Sequence, residues 1–201
     1  MAILKNDTVY EDEIFSGMKA VSLKVSRSTF EECQFLDCDL AEAEFDQCIF
    51  IECEFRDSNL NVTKLPGSRF FESQFKDCKV TGINWTSLDW TGITLSAPMA
   101  FESCDLSFSV FNSLSLPGLI IKNCKAWYAD FEACDLTHSV FTNTDLQDAR
   151  FNGTKLDKSD FDGAVNYYID PMGNSIREAH FDFPEVINLL KAFDIKIKGS
   201  D

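Results

Sequence analysis

The sequence predicts an all-β solenoid in which the chain turns a corner every five residues around an apolar interior. Large apolar residues recur at every fifth position from Phe15 to Leu95, and again, one residue out of phase, from Phe101 to Phe161. Most of the 19 phenylalanines occupy these central positions. Neither a helix of 3.6 residues per turn nor a strand of period two keeps such residues on one face. Self-similarity at a fixed period is typical of stacked architectures instead.

The chain divides into three parts by this pattern. Residues 1–14 precede the repeat and are expected to form an N-terminal cap segment, residues 15–165 form the β-helix, and residues 166–201 follow it. The stretch "MAILKNDTVYEDE" has no apolar run of signal-peptide length, and about 18 consecutive apolar residues occur nowhere. We therefore expect a cytoplasmic protein that has no contact with membranes.

A second column, two residues before each centre, mostly holds small residues and contains all eight cysteines. The cysteines interchange there with serine, alanine and threonine, as in Cys48, Cys53, Ser58 and Thr63. A disulfide framework or a metal site would space its thiols by pairing or by ligand geometry. We therefore expect free, buried cysteines that act as small interior side chains.

The period shifts by one residue within "SAPMAF", residues 96–101. Before the shift, Trp85, Trp90 and Leu95 stand at central positions and are expected in the core. After it, Phe101 resumes the pattern. We interpret the shift as a slip of one residue, without a loop that interrupts the coils.

Residues 166–201 break the repeat and predict a short helix. Asp182 and Glu185 resemble a capping box, and Pro184 suits a first helical turn. Apolar residues at helical spacing then form one stripe: Val186, Leu189, Leu190 and Phe193. Isoleucine and lysine alternate at residues 195–198, which indicates a short strand. The segment either only seals the open end of the solenoid or also carries a two-fold dimer interface, and both interpretations stay open.

One large and one small inward residue in every five describe a chain that winds around a packed interior. Stretches such as "CEFRDSNLNV" and "ADFEACDLTHSVFTNTDLQDARF" closely resemble pentapeptide-repeat proteins. The resemblance covers about residues 15–161. It implies a right-handed quadrilateral β-helix with twenty residues per coil, in which each coil stacks its backbone on the next.

The net charge of −15, from 18 basic and 33 acidic residues, repels nucleic acid and anionic membranes and attracts basic partners. Some of the acids recur every twentieth residue. They form a first ladder of Glu32, Glu52 and Glu72 and a second ladder of Asp37, Asp57 and Asp77. On coils of twenty residues, the carboxylates of each ladder would stack at about the 4.8 Å strand spacing.

Two explanations of the ladders remain. Like charges opposite each other on paired strands are destabilising, so the fold alone would not select them. A long exposed β-surface does need net charge to stay soluble. Alternatively, a regular anionic surface can imitate the DNA phosphate backbone and bind a protein that normally holds DNA.

The segments "GINWTSLDWTGI" and "AVNYYIDPMGNSIREAHFDFPEVINLLKAFDIKI" resemble the Qnr, MfpA, McbG and AlbG group, and most of all its albicidin-resistance member AlbG. This resemblance implies a homodimer joined at its C-termini that imitates DNA, does not itself bind nucleic acid, and binds DNA gyrase and in some members topoisomerase IV. It also implies protection of the enzyme from a poison. Qnr proteins carry projecting loops, so albicidin or a peptide toxin is expected here over a quinolone.

No pattern of catalytic residues, metal ligands or cofactor contacts stands out. The chain has no nucleotide-binding loop and no zinc-ligand spacing, and His138 and His180 are far apart in sequence. A lyase or hydrolase would need acids clustered with a base or a metal ion in a groove. We expect a protein that is not an enzyme, and the alternative to a gyrase partner is an acidic scaffold or interaction module with no role at a topoisomerase.

Overall fold

The computed structural model describes residues 4–91, 99–193 and 195. Within them, the strands pair in parallel and wind into a solenoid, which confirms the predicted fold class. The strands are β1 (Val9–Glu11), β2 (Ile14–Ser16), β3 (Lys24–Ser26), β4 (Thr29–Glu31), β5 (Gln34–Leu36), β6 (Glu44–Asp46), β7 (Ile49–Ile51), β8 (Glu54–Arg56), β9 (Arg69–Phe71), β10 (Ser73–Lys76), β11 (Met99–Glu102) and β12 (Ile120–Lys122). Two 3₁₀ helices are also present, Trp85–Ser87 and Glu185–Phe193.

Successive coils pair their backbones at a spacing of twenty residues. Phe35 lies beside Phe15, and Phe55 lies beside Phe35. The strands form three sheets, in the orders β1-β4-β7-β9, β2-β5-β8-β10-β11-β12 and β3-β6. Isolated parallel bridges continue the stacking beyond the last strand. Tyr10 pairs with Phe30, so the repeat extends into the segment that was expected to be an N-terminal cap.

Aromatic rings from successive coils stack in the interior. Phe50 lies between Phe30 and Phe70, with ring centroids 4.9 and 4.6 Å away and interplanar angles of 8° and 7°. Phe35 and Phe55 stack at 4.6 Å on a neighbouring side of the coil. Such contacts contribute about 0.5–1.5 kcal/mol per pair beyond the burial of apolar area. The strand spacing of about 4.8 Å therefore also suits the stacking of the rings.

The column of small residues donates hydrogen bonds between coils. Cys53 Sγ lies 3.3 Å from the carbonyl oxygen of Phe30, and Thr63 Oγ1 lies 3.0 Å from that of Leu40. All eight cysteines are free and buried, which confirms the prediction of structural thiols. Because a thiol and a hydroxyl can each donate to a carbonyl, these contacts explain why cysteine, serine and threonine interchange in the column.

The buried thiols should be chemically inert in the native protein. Burial raises the pKa of Cys53 to about 12 and that of Cys134 to about 11, and the thiolate is the reactive form. With an aromatic disulfide reagent at about pH 8, we expect no absorbance change from the native chain and the release of eight equivalents after denaturation. Rapid reaction of any native thiol would contradict this packing.

The coil that follows β10 is longer than the others. Phe75 pairs with Phe101, and Asn84 pairs with Val110, so the register advances by 26 residues where other coils advance by 20. The predicted slip of one residue is therefore wrong. The longer coil contains six additional residues, which is one pentapeptide and one further residue. A whole pentapeptide does not change the phase of a five-residue period, so the sequence pattern shows a shift of only one residue.

The tryptophans near this longer coil differ in their burial. Trp85 is fully buried, as expected, in the first 3₁₀ helix. Trp90 is only partly buried, and its indole N–H donates to the carbonyl oxygen of Trp85 at 3.0 Å. Trp90 therefore packs against the core at its edge and is not enclosed by it, contrary to the prediction. Leu95 lies outside the described residues.

The C-terminal residues cover the end of the interior. Phe181 stacks on Phe161 with a centroid distance of 4.8 Å, and Leu189 packs against the core. The predicted helix is present as a 3₁₀ helix, Glu185–Phe193. The strand predicted at residues 195–198 lies outside the described part of the chain, apart from Ile195.

Candidate functional site

Both acidic ladders lie at corners of the solenoid, and all six of their side chains are exposed. The backbone N–H of Glu32 donates to the carbonyl oxygen of Ile51 at 2.9 Å, and that of Glu52 donates to Phe71 at 2.8 Å. These bonds between coils fix the spacing of the rungs and leave the carboxylates free to contact a partner. The structure therefore brings together the acids of each ladder, as the twenty-residue spacing predicts.

The ladder residues adopt the left-handed backbone conformation. Their φ angles are 53°, 51° and 49° in the first ladder and 51°, 51° and 52° in the second. Aspartate is several-fold enriched in this conformation, so the backbone alone can explain why aspartates occupy the second ladder. Glutamate lacks the short side chain that helps aspartate there. The fold thus explains the three glutamates of the first ladder less well than the three aspartates of the second.

The acidic surface extends beyond the six predicted residues. Asp12 lies twenty residues before Glu32, has a φ of 54°, and bonds to the next coil through its N–H in the same way. Beside the ladder runs an open groove of about 500 Å³ whose wall contains all three first-ladder glutamates, together with Gln34, Glu54 and Gln74. The twenty-residue spacing in the sequence could have identified Asp12. The repeat predicted from the sequence begins at Phe15, so Asp12 lay outside the predicted ladder.

Several other acidic residues of the solenoid form an ion pair with a basic residue on an adjacent coil. Lys24 lies 3.0 Å from Glu44, Lys125 lies 3.2 Å from Asp105, and Lys155 pairs with Asp135 at 3.1 Å. In contrast, no lysine or arginine of the described residues forms an ion pair with any of the six ladder acids. The ladders are therefore a concentrated patch of carboxylates without ion-pair partners, with Arg56 close enough to Asp57 and Asp77 to offset part of their charge.

The predicted apolar stripe of the C-terminal helix is divided between two environments. Leu189 packs against the core and Val186 is partly buried, whereas Leu190 and Phe193 are exposed. Phe183, just before the helix, is 78% exposed. The helix therefore covers the interior with one side and presents apolar side chains to solvent with another.

The sequence matches the family model of the pentapeptide repeat region over residues 28–97 and 98–165, which is more than half of its length. The chain belongs to the pentapeptide-repeat family. None of the curated proteins compared with this pentapeptide-repeat chain matches it.

Two solved structures share the pentapeptide-repeat fold of this chain. A trypsin-treated form of QnrB1, a plasmid-mediated fluoroquinolone resistance protein, is 14% identical, with a TM-score of 0.55 over 94% of this chain and 99% of QnrB1. HetL, a protein involved in heterocyst differentiation regulation in the cyanobacterium Nostoc, is 12% identical, with a TM-score of 0.50 over 87% of this chain and 85% of its own. These similarities establish the fold, while the particular similarity to AlbG stays a hypothesis.

Two further features bear on what the pentapeptide-repeat chain could bind. Among residues 4–91, 99–193 and 195, no group of three or more His, Cys, Asp or Glu side chains is placed to hold a metal ion. No helix in this part of the chain is long and apolar enough to cross a membrane. The surface feature with the most distinct chemistry is the pair of carboxylate ladders.

Proposed function

We propose that this pentapeptide-repeat protein imitates DNA, binds DNA gyrase and protects the enzyme from a gyrase poison. The observation that carries the proposal is the pair of exposed ladders without basic partners. The resemblance of the sequence to the Qnr, MfpA, McbG and AlbG group adds support. Topoisomerase IV, which has a related DNA-binding task, is a second candidate target.

The density of negative charge on the ladders is close to that of duplex DNA. Two ladders with strands about 4.8 Å apart supply one carboxylate for about every 2.4 Å along the solenoid axis. Duplex DNA carries one negative charge for about every 1.7 Å of its axis. A basic surface that binds DNA phosphates would therefore meet a comparable series of anions on this protein.

Electrostatic attraction would increase the rate at which the ladders associate with gyrase. Complementary charge raises the rate of encounter between two proteins and makes that rate depend on ionic strength. The protein would either displace DNA before gyrase cleaves it or destabilise the complex that the poison has trapped. Both routes place the ladders on the gyrase surface that normally holds DNA and require no direct contact between this chain and nucleic acid.

Three kinds of gyrase poison are candidates for the one that this protein counters. Preference for albicidin or a peptide toxin rested on a chain without an insertion between its coils. The backbone pairing advances by 26 residues from Phe75 to Phe101, six more than between other coils. A quinolone therefore stands beside albicidin and peptide toxins as a candidate, and we propose that the protein acts in the cytoplasm, where gyrase works.

Binding to gyrase is tested directly with the purified enzyme immobilised for interferometry. We expect saturable binding at about 50 mM salt that weakens strongly at about 300 mM, because the contact is electrostatic. Duplex DNA should compete with the protein for the enzyme. Binding that is absent at low salt would refute the gyrase proposal, and binding unaffected by DNA would refute the mimicry.

We also propose that two copies associate through their C-terminal segments. The exposed Phe183, Leu190 and Phe193 lie close together in sequence at one end of the solenoid, and large exposed apolar side chains in one region are typical of interfaces. A two-fold axis would place the same segment of each copy against the other.

Charged substitutions at the exposed helix positions should separate the copies. In the variant Leu190→Asp with Phe193→Asp, light scattering should give the monomer mass of 22.7 kDa, and the unaltered chain twice that value. Val9→Asp, at an exposed valine near the other end, is the control and should leave the dimer intact. A dimeric double variant would contradict the proposed interface.

A scaffold without a topoisomerase partner is the second candidate function. HetL has the same fold and a role in the regulation of differentiation, and a shared fold does not by itself define a function. In that case the ladders would serve solubility or bind a different basic protein. Absence of gyrase binding in the interferometry experiment favours this candidate.

A further inference from the structure

A corner with apolar residues in its middle and carboxylates at its ends lies two corners away from the first ladder. The residues of this corner occupy consecutive coils. The backbone N–H of each one donates to a carbonyl oxygen in the next coil, as Glu42 does to Asn61, directly before Val62. We name six of these residues the corner column: Glu42, Val62, Gly82, Phe108, Tyr128 and Asp148. Ser22 occupies the same corner one coil before Glu42, and its hydroxyl donates to Glu42 Oε2 at 3.3 Å. The other corners of the solenoid mainly carry polar residues or glycine.

The large apolar residues of the corner column are both exposed and conformationally unfavourable. Phe108 is 60% exposed and Tyr128 is 47% exposed, and their rings stack at 5.1 Å with an interplanar angle of 9°. Val62, Phe108 and Tyr128 have φ angles of 47°, 61° and 56°. Bulky and β-branched residues are rare at such angles, and here no burial in the core compensates. Residues that the fold does not favour point to a function.

The column also contains a recess. A hollow of about 420 Å³ opens beside Val62 and Gly82, and its wall combines Leu65 and Pro66 with polar residues that include Lys64 and Asn84. A Cβ atom on residue 82 would lie 3.0 Å from Val62 Cγ1. A side chain at residue 82 would therefore crowd Val62, and glycine leaves the exposed Val62 free at the edge of the hollow.

We propose that the corner column binds a protein segment in which an apolar or aromatic side chain is flanked on both sides by lysine or arginine. The apolar side chain would enter the hollow beside Val62 and Gly82, and the segment would then cross the stacked rings of Phe108 and Tyr128. The basic side chains would meet Glu42 and Asp148, both exposed. An arginine could also lie over the ring of Tyr128, because aromatic faces attract cations.

The dimensions of the column define the length of the segment. Glu42 and Asp148 are five coils apart, which is about 24 Å at about 4.8 Å per coil. An extended chain advances about 3.3 Å per residue, so about seven residues separate the two basic positions. The ladders lie on other corners, and this proposal is independent of the one that concerns gyrase. Base stacking of a nucleic acid on the two rings is disfavoured by the net charge of −15.

The test is a selection of random twelve-residue peptides on the full-length protein, with counter-selection on the variant Phe108→Asn with Tyr128→Asn. Asparagine tolerates the left-handed conformation, so the variant should keep its circular dichroism spectrum and melting temperature. We expect enriched peptides to contain tryptophan, phenylalanine or leucine between basic residues. In fluorescence anisotropy they should bind the double variant at least about tenfold more weakly, as for aromatic contacts at the centre of an interface.

His138→Asn is the matched control, because His138 is exposed at a different corner with a φ of 62°. It should not change the affinity of the selected peptides. Glu42→Lys with Asp148→Lys leaves the aromatic residues in place and should also weaken binding at least about tenfold. The proposal is overturned if the enriched peptides lack the pattern, if these substitutions leave their affinity unchanged, or if a single-stranded oligonucleotide binds and they do not.

Discussion

Replacement of Phe50 by alanine should lower the free energy of unfolding by about 3–5 kcal/mol, the range for a fully buried phenylalanine. The Phe50 side chain is 1% exposed, and its ring stacks on Phe30 and Phe70 in the two adjacent coils. Its removal leaves a cavity and breaks a continuous column of rings. Urea denaturation followed by circular dichroism measures the loss, with the Phe50→Ala variant and the unaltered chain compared at equal concentration.

Phe108→Ala is the matched control for this prediction. Phe108 is an exposed phenylalanine of the same solenoid, and its truncation should change the free energy of unfolding by less than about 1 kcal/mol. Equal losses for the two variants would contradict the distinction between the stacked interior and the corner. A solenoid can also lose stability locally, since each coil contacts only its neighbours, so hydrogen exchange near the altered coil complements the global measurement.

Neutralisation of the ladders should weaken gyrase binding without harming the fold. The variant changes two rungs of each ladder to the matching amides: Glu52→Gln, Asp57→Asn, Glu72→Gln and Asp77→Asn. Because like charges on paired strands repel, the melting temperature should stay constant or rise. At about 50 mM salt, the dissociation constant for gyrase should increase by at least about tenfold, mainly through slower association. Interferometry measures both rate constants.

The control for the ladder variant has the same net charge. It neutralises four acids of the C-terminal half that lie outside the ladders and form no ion pair within the described part of the chain: Asp148→Asn, Asp160→Asn, Asp162→Asn and Glu178→Gln. If the contact is specific, the control should bind gyrase nearly as well as the unaltered protein does. An equal loss in both variants would show that total charge, and not the ladder arrangement, determines binding.

The five-residue period was sufficient to predict the solenoid, the buried thiols and the stacking of the acids. This follows from the regularity of the architecture, because one local rule places every residue of a repeat inward or outward. The same regularity concealed the longer coil between Phe75 and Phe101, since a whole additional pentapeptide leaves the pattern unchanged. Only backbone pairing between coils reveals such an addition.

The C-terminal stripe illustrates a second limit of sequence patterns. Spacing of i, i+3, i+4 and i+7 gathers residues on one face of a helix with 3.6 residues per turn. The helix formed is a 3₁₀ helix with three residues per turn, in which residues three apart share a row. Val186 and Leu189 therefore fall in one row, partly buried, and Leu190 and Phe193 fall in another, exposed to solvent.

The left-handed backbone at the corners was not predicted from the sequence. It gives a structural explanation for some of the acidic residues. A left-handed residue at each corner favours aspartate and glycine, so part of the acidic pattern serves the fold. The glutamates of the first ladder and the aromatic residues of the corner column do not follow from that preference. These exceptions became visible only when backbone angles were combined with residue type.

DNA supercoiling by purified gyrase is the most direct test of the proposed function. The protein is added in increasing amounts, with and without albicidin and a quinolone, at two salt concentrations. We expect relief of poisoning by at least one of the two drugs at low protein concentration, with loss of the effect in the ladder variant. Inhibition without relief would indicate a DNA mimic that does not protect, and no effect under any condition would contradict the gyrase proposal.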